Sequence, residues 1–301
     1  MFRFYPWQNY VLLKNTLRRF AASFSLLLLL SGLSGCSWII SSATSDFAKN
    51  LGDSILNQND PTMVKDGLPS YLILIDAMLE GDPNNESLLR AAASLNSSYA
   101  GLFLQDPQRQ KNLAKKALDY GSKAVCVRDS KACNITSMPF EAFSKVVDSL
   151  TDKDVPTYYA LGAAWAGWIQ ANSEDWNAIA QLAQVERIMQ RVVALNEAYE
   201  NGGAHMYLGV IATLIPPAMG GKPDVGREHF ERAIALSDGK NLMAKVLFAQ
   251  HYARLVFDRE LHDKLVKEVL EADPKAPGLT LINTLAQQQA KQLADSADDY
   301  F

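Results

Sequence analysis

Apolar residues recur at intervals of three and four along most of the chain after residue 50, and this period is the strongest constraint on its fold. Leu72, Ile75, Met78 and Leu79 show it clearly, and so does the run 88–99. Such spacing places side chains on one face of an α-helix. No stretch alternates apolar and polar residues as a half-buried strand would. The pattern therefore predicts an all-α fold.

Turn-forming residues separate these helical segments. Glycine, proline and aspartate punctuate the chain because they end helices, begin them or allow sharp turns. The spacing predicts helices of about 10 to 20 residues joined by short turns. The main breaks are Gly81-Asp82-Pro83, Asp106-Pro107, Asp154-Val155-Pro156, Asn201-Gly202-Gly203, Gly220-Gly221-Lys222-Pro223 and Asp273-Pro274.

The helical segments also repeat one another. Val269 and Leu270, followed by Glu271-Ala272-Asp273-Pro274, resemble the second helix and terminal proline of a tetratricopeptide repeat. Leu208-Gly209 followed by Phe230 and Ala233 resembles another copy. Stacked helix pairs of this kind form an α-solenoid with a concave groove. We expect such a domain over 51–293, with additional N-terminal and C-terminal capping helices, the latter at 279–293, and a frayed acidic tail over 294–301.

The first 35 residues have the organisation of an export signal. Four basic residues and no acids come before an apolar stretch. That stretch is shorter than a membrane-spanning helix requires. The tetrapeptide Leu33-Ser34-Gly35-Cys36 follows it. This tetrapeptide resembles the bacterial lipobox, which implies cleavage before Cys36 and lipidation of that cysteine. We predict a signal peptide over 1–35 and a lipidated tether over 36–50. Ser37 favours the periplasmic face of the outer membrane, with the lipid anchor as the only membrane contact. The alternative for Cys36 is an ordinary buried or disulfide-bonded cysteine.

Charge and cysteine content narrow the function further. The first 35 residues carry four of the 29 basic residues and none of the 33 acidic ones, so the mature chain has a net charge of about −8. Nucleic acid is therefore an unsuitable partner. Cys126 and Cys133 remain, in a compartment that permits oxidation, and the sequence leaves open a local disulfide or two free thiols.

The sequence contains no recognisable arrangement for catalysis or metal binding. Its four histidines, His205, His229, His251 and His262, lie on different predicted helices and form no H-E-x-x-H motif. Gly220-Gly221-Lys222-Pro223 lacks the remaining residues of a phosphate-binding loop and favours a turn into a helix. We predict no enzyme, no metal and no cofactor.

The combined features resemble the T-component family of TRAP transporters, the tripartite ATP-independent periplasmic transporters. The most specific part is the loop 216–223 leading into the helix 227–233, supported by the lipobox, the repeats and Tyr158-Tyr159-x-Leu161-Gly162. The resemblance extends from about 51 to 274. It implies an all-helical body, a groove or pore for an apolar ligand, and docking to a periplasmic solute-binding protein, in an oligomer.

The repeat alignment identifies candidate groove residues on the first helix of each pair. Most are small or apolar, which favours an apolar ligand, with His251 and Arg254 available for a carboxylate. The alternative is packing against additional helices. Trp165 and Trp168 either line a pocket or belong to the core. The candidate groove residues are Leu89, Ala93, Asn96, Tyr159, Ala163, Ala166, Met206, Val210, Thr213, Leu247, His251 and Arg254.

Two functions follow from this reading. The first is an accessory transport component that binds or channels a small, partly apolar solute, such as an organic acid, and docks a solute-binding protein. The second is an assembly scaffold whose groove holds a segment of another envelope protein. A ligand cavity closed on several sides favours the first function, and an open groove favours the second.

Overall fold

The computed structural model describes residues 50–301, apart from the side chain of Met219. The predicted signal peptide, Cys36 and nearly all of the tether lie outside the described residues. Within residues 50–301 all regular structure is helical, which confirms the predicted all-α class. No helix in this part of the chain is long and apolar enough to cross a membrane.

Short turns join helices that follow one another closely along the chain. Residues 50–56 are helical, and a π-helical stretch, Phe248–Ala253, continues the helix Leu242–Leu247. The remaining α-helices are α1 Pro61–Gly81, α2 Glu86–Phe103, α3 Pro107–Arg128, α4 Phe140–Asp148, α5 Val155–Ala171, α6 Trp176–Ile179, α7 Leu182–Asn196, α8 Gly203–Ala212, α9 Pro223–Leu236, α10 Leu242–Leu247, α11 Arg259–Glu271, α12 Thr280–Asp295 and α13 Ala297–Tyr300.

The predicted breaks coincide with helix ends for identifiable reasons. Asp106 caps α3 by accepting a hydrogen bond from the backbone N–H of Arg109 at 2.8 Å, and Pro107 occupies the first turn, where its missing N–H costs nothing. Asp60 and Pro61 begin α1 in the same way. Local capping chemistry therefore sets these boundaries.

Small residues allow the closest helix contacts. A Cβ atom on Gly162 of α5 would lie 2.8 Å from Met189 Cε of α7, and one on Gly209 of α8 would lie within 2.9 Å of the Phe230 ring of α9. Both distances are shorter than a normal carbon contact. Gly209 and Phe230 therefore pair as the repeat pattern predicts.

Two large apolar clusters form most of the core. One contains residues between 118 and 208, on α3, α4, α5, α7 and α8. The other joins α1 and α2 to α9, α10, α11 and α12, so the last helices pack against the first. The backbone N–H of Gly278 also donates to Asn57 Oδ1 at 2.8 Å. The helical array thus closes on itself.

The C-terminal segment is helical and packed, so the prediction of a frayed tail over 294–301 is wrong. The predicted capping helix is α12, which continues through Asp295, and α13 follows it. Ala297 is buried, and the Phe301 ring lies against the His262 ring with centroids 5.1 Å apart. Aromatic contacts hold this end of the chain despite its acidic residues.

Cys126 and Cys133 form a disulfide, which decides between the two alternatives left by the sequence. The bond links α3 to the 3₁₀ turn Ser130–Ala132 that follows it, with the two Cα atoms 4.1 Å apart. It fixes the end of α3 beside Arg128.

Candidate functional site

Four of the predicted groove residues are buried and do not line an accessible groove. Leu89 and Ala93 are fully buried, because α1, α3 and α5 all pack against α2. Asn96 is also buried, and its amide nitrogen donates to Ala92 O at 2.7 Å. Thr213 is buried where α8 approaches α9, and its hydroxyl donates to Gly209 O at 2.8 Å. For these four the alternative, packing against additional helices, applies.

The two residues predicted to bind a carboxylate, His251 and Arg254, have different surroundings. Arg254 donates to Leu293 O at 3.2 Å and to Ser296 Oγ at 2.7 Å, and its guanidinium lies 4.7 Å from the Tyr300 ring centroid. These contacts commit it to the C-terminal helices. Burial lowers the pKa of His251, which keeps its imidazole neutral at pH 7. Arg254 forms no ion pair within residues 50–301, and its buried Nε has no hydrogen-bond partner there.

Trp165 is a core residue and does not line a pocket. Its ring is fully buried, in T-shaped contact with Phe143, and its indole N–H donates to Gln181 Oε1 at 2.9 Å. Trp168 is partly buried and packs against the edge of the same cluster.

Six predicted groove residues are partly buried, and five of them, all but Met206, pack against the two apolar clusters of the core. They belong to α5, α8 and α10. The Tyr159 and Tyr207 rings connect α5 to α8, with centroids 6.1 Å apart. Asn241, which precedes α10, lies 3.6 Å from Met206 Sδ on α8. We call the six residues the inner wall: Tyr159, Ala163, Ala166, Met206, Val210 and Leu247.

Three tyrosine rings meet at one end of the inner wall. Tyr159 makes T-shaped contacts with Tyr199, at a centroid separation of 5.2 Å, and with Tyr207. Burial raises the pKa of Tyr207 to about 12 and raises that of Tyr159 well above its usual range. All three rings remain partly accessible to solvent. They therefore form a recessed aromatic surface whose hydroxyls stay protonated at any physiological pH.

Glu200 adds a carboxylate to this surface. Desolvation raises its pKa, and repulsion by Asp53 raises it further. Its charge also contributes to the raised pKa of both Tyr159 and Tyr199. The residue is exposed to solvent. We call Tyr159, Tyr199, Tyr207 and Glu200 the tyrosine–glutamate cluster.

The backbone beneath this cluster adopts an uncommon conformation. Glu200, Asn201 and Gly202 have φ values of 50°, 55° and 77°, so three successive residues are left-handed just before α8. Left-handed conformation costs a non-glycine residue about 1 kcal/mol or more. The next residue, Gly203, lies so close to the Tyr159 hydroxyl that a Cβ there would collide with it. The turn therefore fixes where the Glu200 carboxylate and the Tyr159 hydroxyl lie.

No side chain of the cluster has a hydrogen-bond or ion-pair partner within residues 50–301. The guanidinium of Arg90 is near enough to lower the pKa of Tyr199, but it forms no ion pair with Glu200. Sequence reasoning identified Tyr159 and missed Tyr199, Glu200 and Tyr207, because it treated Asn201-Gly202-Gly203 only as a turn. The aromatic and acidic residues flanking that turn were the available signal.

Two depressions lie elsewhere on the surface, beside the closure of the helical array. One has a volume of about 430 Å³ and is lined by residues that include Asn57 and Lys275. The other, of about 300 Å³, adjoins it near Gly239 and Pro277. Neither contains an inner-wall residue. In the part of the chain that the structure describes, no three histidine, cysteine, aspartate or glutamate side chains converge as a metal site.

Comparison with known proteins identifies one family. The family described as TRAP transporter T-component matches residues 57–301, which is most of the chain and all but the first few described residues. A search of curated proteins finds no match.

Proposed function

Because the chain belongs to the TRAP transporter T-component family and is thus an accessory component of such a transporter, we propose that it binds or channels a small, partly apolar solute. The observation that supports this role is the inner wall, where small and apolar side chains from α5, α8 and α10 lie half-buried beside a few polar groups. Solute sites in proteins have this composition. The mechanism is capture and transfer without covalent chemistry.

The protein would pass its solute to or from a periplasmic solute-binding protein that docks to it. The predicted lipid anchor on Cys36 would hold it at the periplasmic face of the outer membrane, and self-association is part of the same proposal. These elements rest on the sequence pattern and on membership of the family. An organic acid is the solute class expected from His251 and Arg254, and the lowered pKa of His251 leaves Arg254 as the positive charge of that pair.

The decisive experiment identifies what the protein holds when it is isolated. The full chain is purified from membranes in mild detergent, examined by native mass spectrometry, and then denatured to release bound small molecules. The same is done for Ala163→Trp, which fills the inner wall. We expect one recurrent organic compound in the native protein and a loss of at least tenfold in the variant.

Ala77→Trp is the matched control, since Ala77 is an exposed alanine in the C-terminal part of α1. It should retain the compound. Equal amounts of compound in both tryptophan variants would contradict binding at the inner wall. An empty protein that instead co-purifies with an envelope polypeptide would favour the assembly scaffold over the solute-binding role.

A further inference from the structure

Two imidazole rings meet where α8 packs against α9. His205 lies in the first turn of α8 and His229 in the middle of α9, and their Nδ1 atoms are 2.8 Å apart. His205 is buried and His229 is partly buried. At this distance one Nδ1 carries a proton and donates a hydrogen bond, and the other must be unprotonated to accept it. The contact therefore has room for one hydrogen and not for two.

A carboxylate on the far side of His205 sets the direction of this hydrogen bond. His205 Nε2 is buried, has no hydrogen-bond partner within residues 50–301, and lies 3.6 Å from Glu197 Oε2. A lone pair on Nε2 would face the negative carboxylate, whereas an N–H is attracted to it. The neutral His205 ring therefore carries its proton on Nε2 and accepts at Nδ1, and His229 donates from Nδ1.

A first added proton leaves the contact intact, and a second one breaks it. His229 can take up the first proton at Nε2, and the proton within the hydrogen bond can then move to His205, beside Glu197. A second added proton places a hydrogen on both Nδ1 atoms, so that two cationic rings face each other at 2.8 Å. The hydrogen bond is then lost, and charge repulsion takes its place.

The surrounding charges do not offset a second proton. Glu197, which follows α7, is the carboxylate beside the pair, and Arg232 of α9 already donates to it from Nε at 3.0 Å. The turn Tyr199–Asn201 and α10 also pack against α8, but within the described part of the chain neither forms a hydrogen bond or an ion pair with either imidazole. A doubly protonated pair would therefore set three positive charges against one negative charge.

The two halves of α8 are held to α9 in different ways. In the C-terminal half, a Cβ on Gly209 would lie 2.8 Å from the Phe230 ring, and a Cβ on Gly226 of α9 would lie 2.5 Å from Thr213 Cγ2. These close contacts involve no charged group. The histidine pair lies instead at the N-terminal turn, next to the inner-wall residue Met206. Loss of the pair should free this turn while the glycine contacts hold the remainder of α8.

We propose that His205 and His229 form a pH-sensitive switch, in which a second proton separates the N-terminal turn of α8 from α9 and displaces Met206 from the inner wall. The separation itself needs no solute. Its effect on binding rests on the proposed function: the solute is held at neutral pH and released in acid.

Hydrogen–deuterium exchange of the full chain tests the separation. It is measured by mass spectrometry at pH 7 and pH 4 and corrected for the intrinsic effect of pH on exchange. The lower pH is chosen because burial and repulsion from His205 lower the pKa of His229 to about 4. We expect the amides of α8 to lose about tenfold in protection at pH 4, and those of α3 to change less than about twofold. Equal protection of α8 at both pH values would overturn the inference.

One substitution removes the second proton and keeps the contact. In His229→Gln the side-chain amide can both donate and accept, so it can pair with either form of His205 but cannot become charged. The pH effect on α8 should therefore fall below about twofold. Glu228→Gln is the matched control, since Glu228 is an exposed acid adjacent to His229 on α9, and it should keep the full effect. A loss of protection in His229→Gln as large as in the native chain would contradict the proposal.

The compound that co-purifies with the protein tests the effect on binding. After washing at pH 4, the native protein should retain about tenfold less of it than after washing at pH 7, and His229→Gln should retain nearly equal amounts. Equal retention by the native protein at both pH values would show that the switch does not control binding. If the exchange changes as expected and no compound is found at either pH, the proposed function fails and the switch stands.

Discussion

Two polar clusters lie beside the first half of α5, and they differ in whether their charged groups are paired within the fold. At the start of the helix, Arg128 donates to Asp154 at 2.5 Å and to Glu86 at 3.3 Å, and the Thr157 hydroxyl donates to the same Glu86 carboxylate. This arrangement unites the ends of α2, α3 and α5. About one half-turn further on, Tyr159 begins the tyrosine–glutamate cluster, where no side chain has a polar partner within residues 50–301.

In the first cluster the charged groups are paired within the fold, and in the second the carboxylate is not. Each charge at Arg128 meets an opposite charge, so the cluster needs nothing from outside the chain. Within residues 50–301 the Glu200 carboxylate forms no ion pair, and its backbone lies in a left-handed turn that carries a conformational cost. Stability measurements on variants of both clusters test this difference.

Removal of the guanidinium should have the largest effect. Arg128→Met leaves the carboxylates of Glu86 and Asp154 facing each other at a site that is only about one quarter exposed. We expect a loss of about 3 kcal/mol in the free energy of unfolding, because partly buried charges lose their partner. Urea denaturation at pH 7 measures it. A loss below about 0.5 kcal/mol would show that the cluster is not structural.

Acidification should produce the next largest effect, through the histidine pair between α8 and α9. His205 Nδ1 and His229 Nδ1 lie 2.8 Å apart, beside Glu197 and Arg232. Burial, followed by repulsion from His205, lowers the pKa of His229 to about 4. The unfolded chain therefore binds more protons than the folded chain between about pH 6.5 and pH 4, so stability falls as the pH drops through this range.

We expect this histidine to account for a loss of about 2 kcal/mol across that interval. Unfolding curves from pH 7 to pH 4 should therefore be less steep in pH for His229→Asn than for the native chain. Parallel curves for the two proteins would exclude His229 as the source.

Thr157→Val tests a single hydrogen bond in the closed cluster. The side chain is buried and its hydroxyl donates to Glu86 Oε1, so valine preserves the shape and removes the donor. The expected cost is about 1 kcal/mol. A thermal shift assay calibrated with urea curves can resolve it, and Thr157→Ser, which keeps the hydroxyl, should recover part of the loss.

Glu200→Gln should have the smallest effect on stability, and one of opposite sign. Because the pKa of Glu200 is raised in the folded protein, its ionisation destabilises the fold as the pH rises above about 4.5. The neutral amide should therefore make the protein slightly more stable at pH 7, by less than about 1 kcal/mol, with no difference at pH 3.5. A clear loss of stability at pH 7 would indicate that Glu200 has a structural role.

The sequence predicts the helices well because their signals are local. Asp106 and Pro107 mark a helix start by their own capping chemistry, and the apolar period identifies α2 and α12 before any tertiary contact is known. Groove positions are harder to predict, because exposure depends on what else packs there. Leu89 and Ala93 have the repeat position of groove residues, yet the neighbouring helices cover them. Tyr199 and Tyr207 join Tyr159 only through the fold of the α7–α8 turn.

The contact between the first and last helices has a consequence for how such a chain can change in evolution. An open repeat array can gain or lose a helix pair, since each repeat depends only on its neighbours. Here α1 packs against α12, and Asn57 holds the turn before α12. An extra pair would push these ends apart and expose the apolar residues that they share. The contact between α1 and α12 therefore constrains the number of helices, whereas insertions in the other loops leave that contact intact.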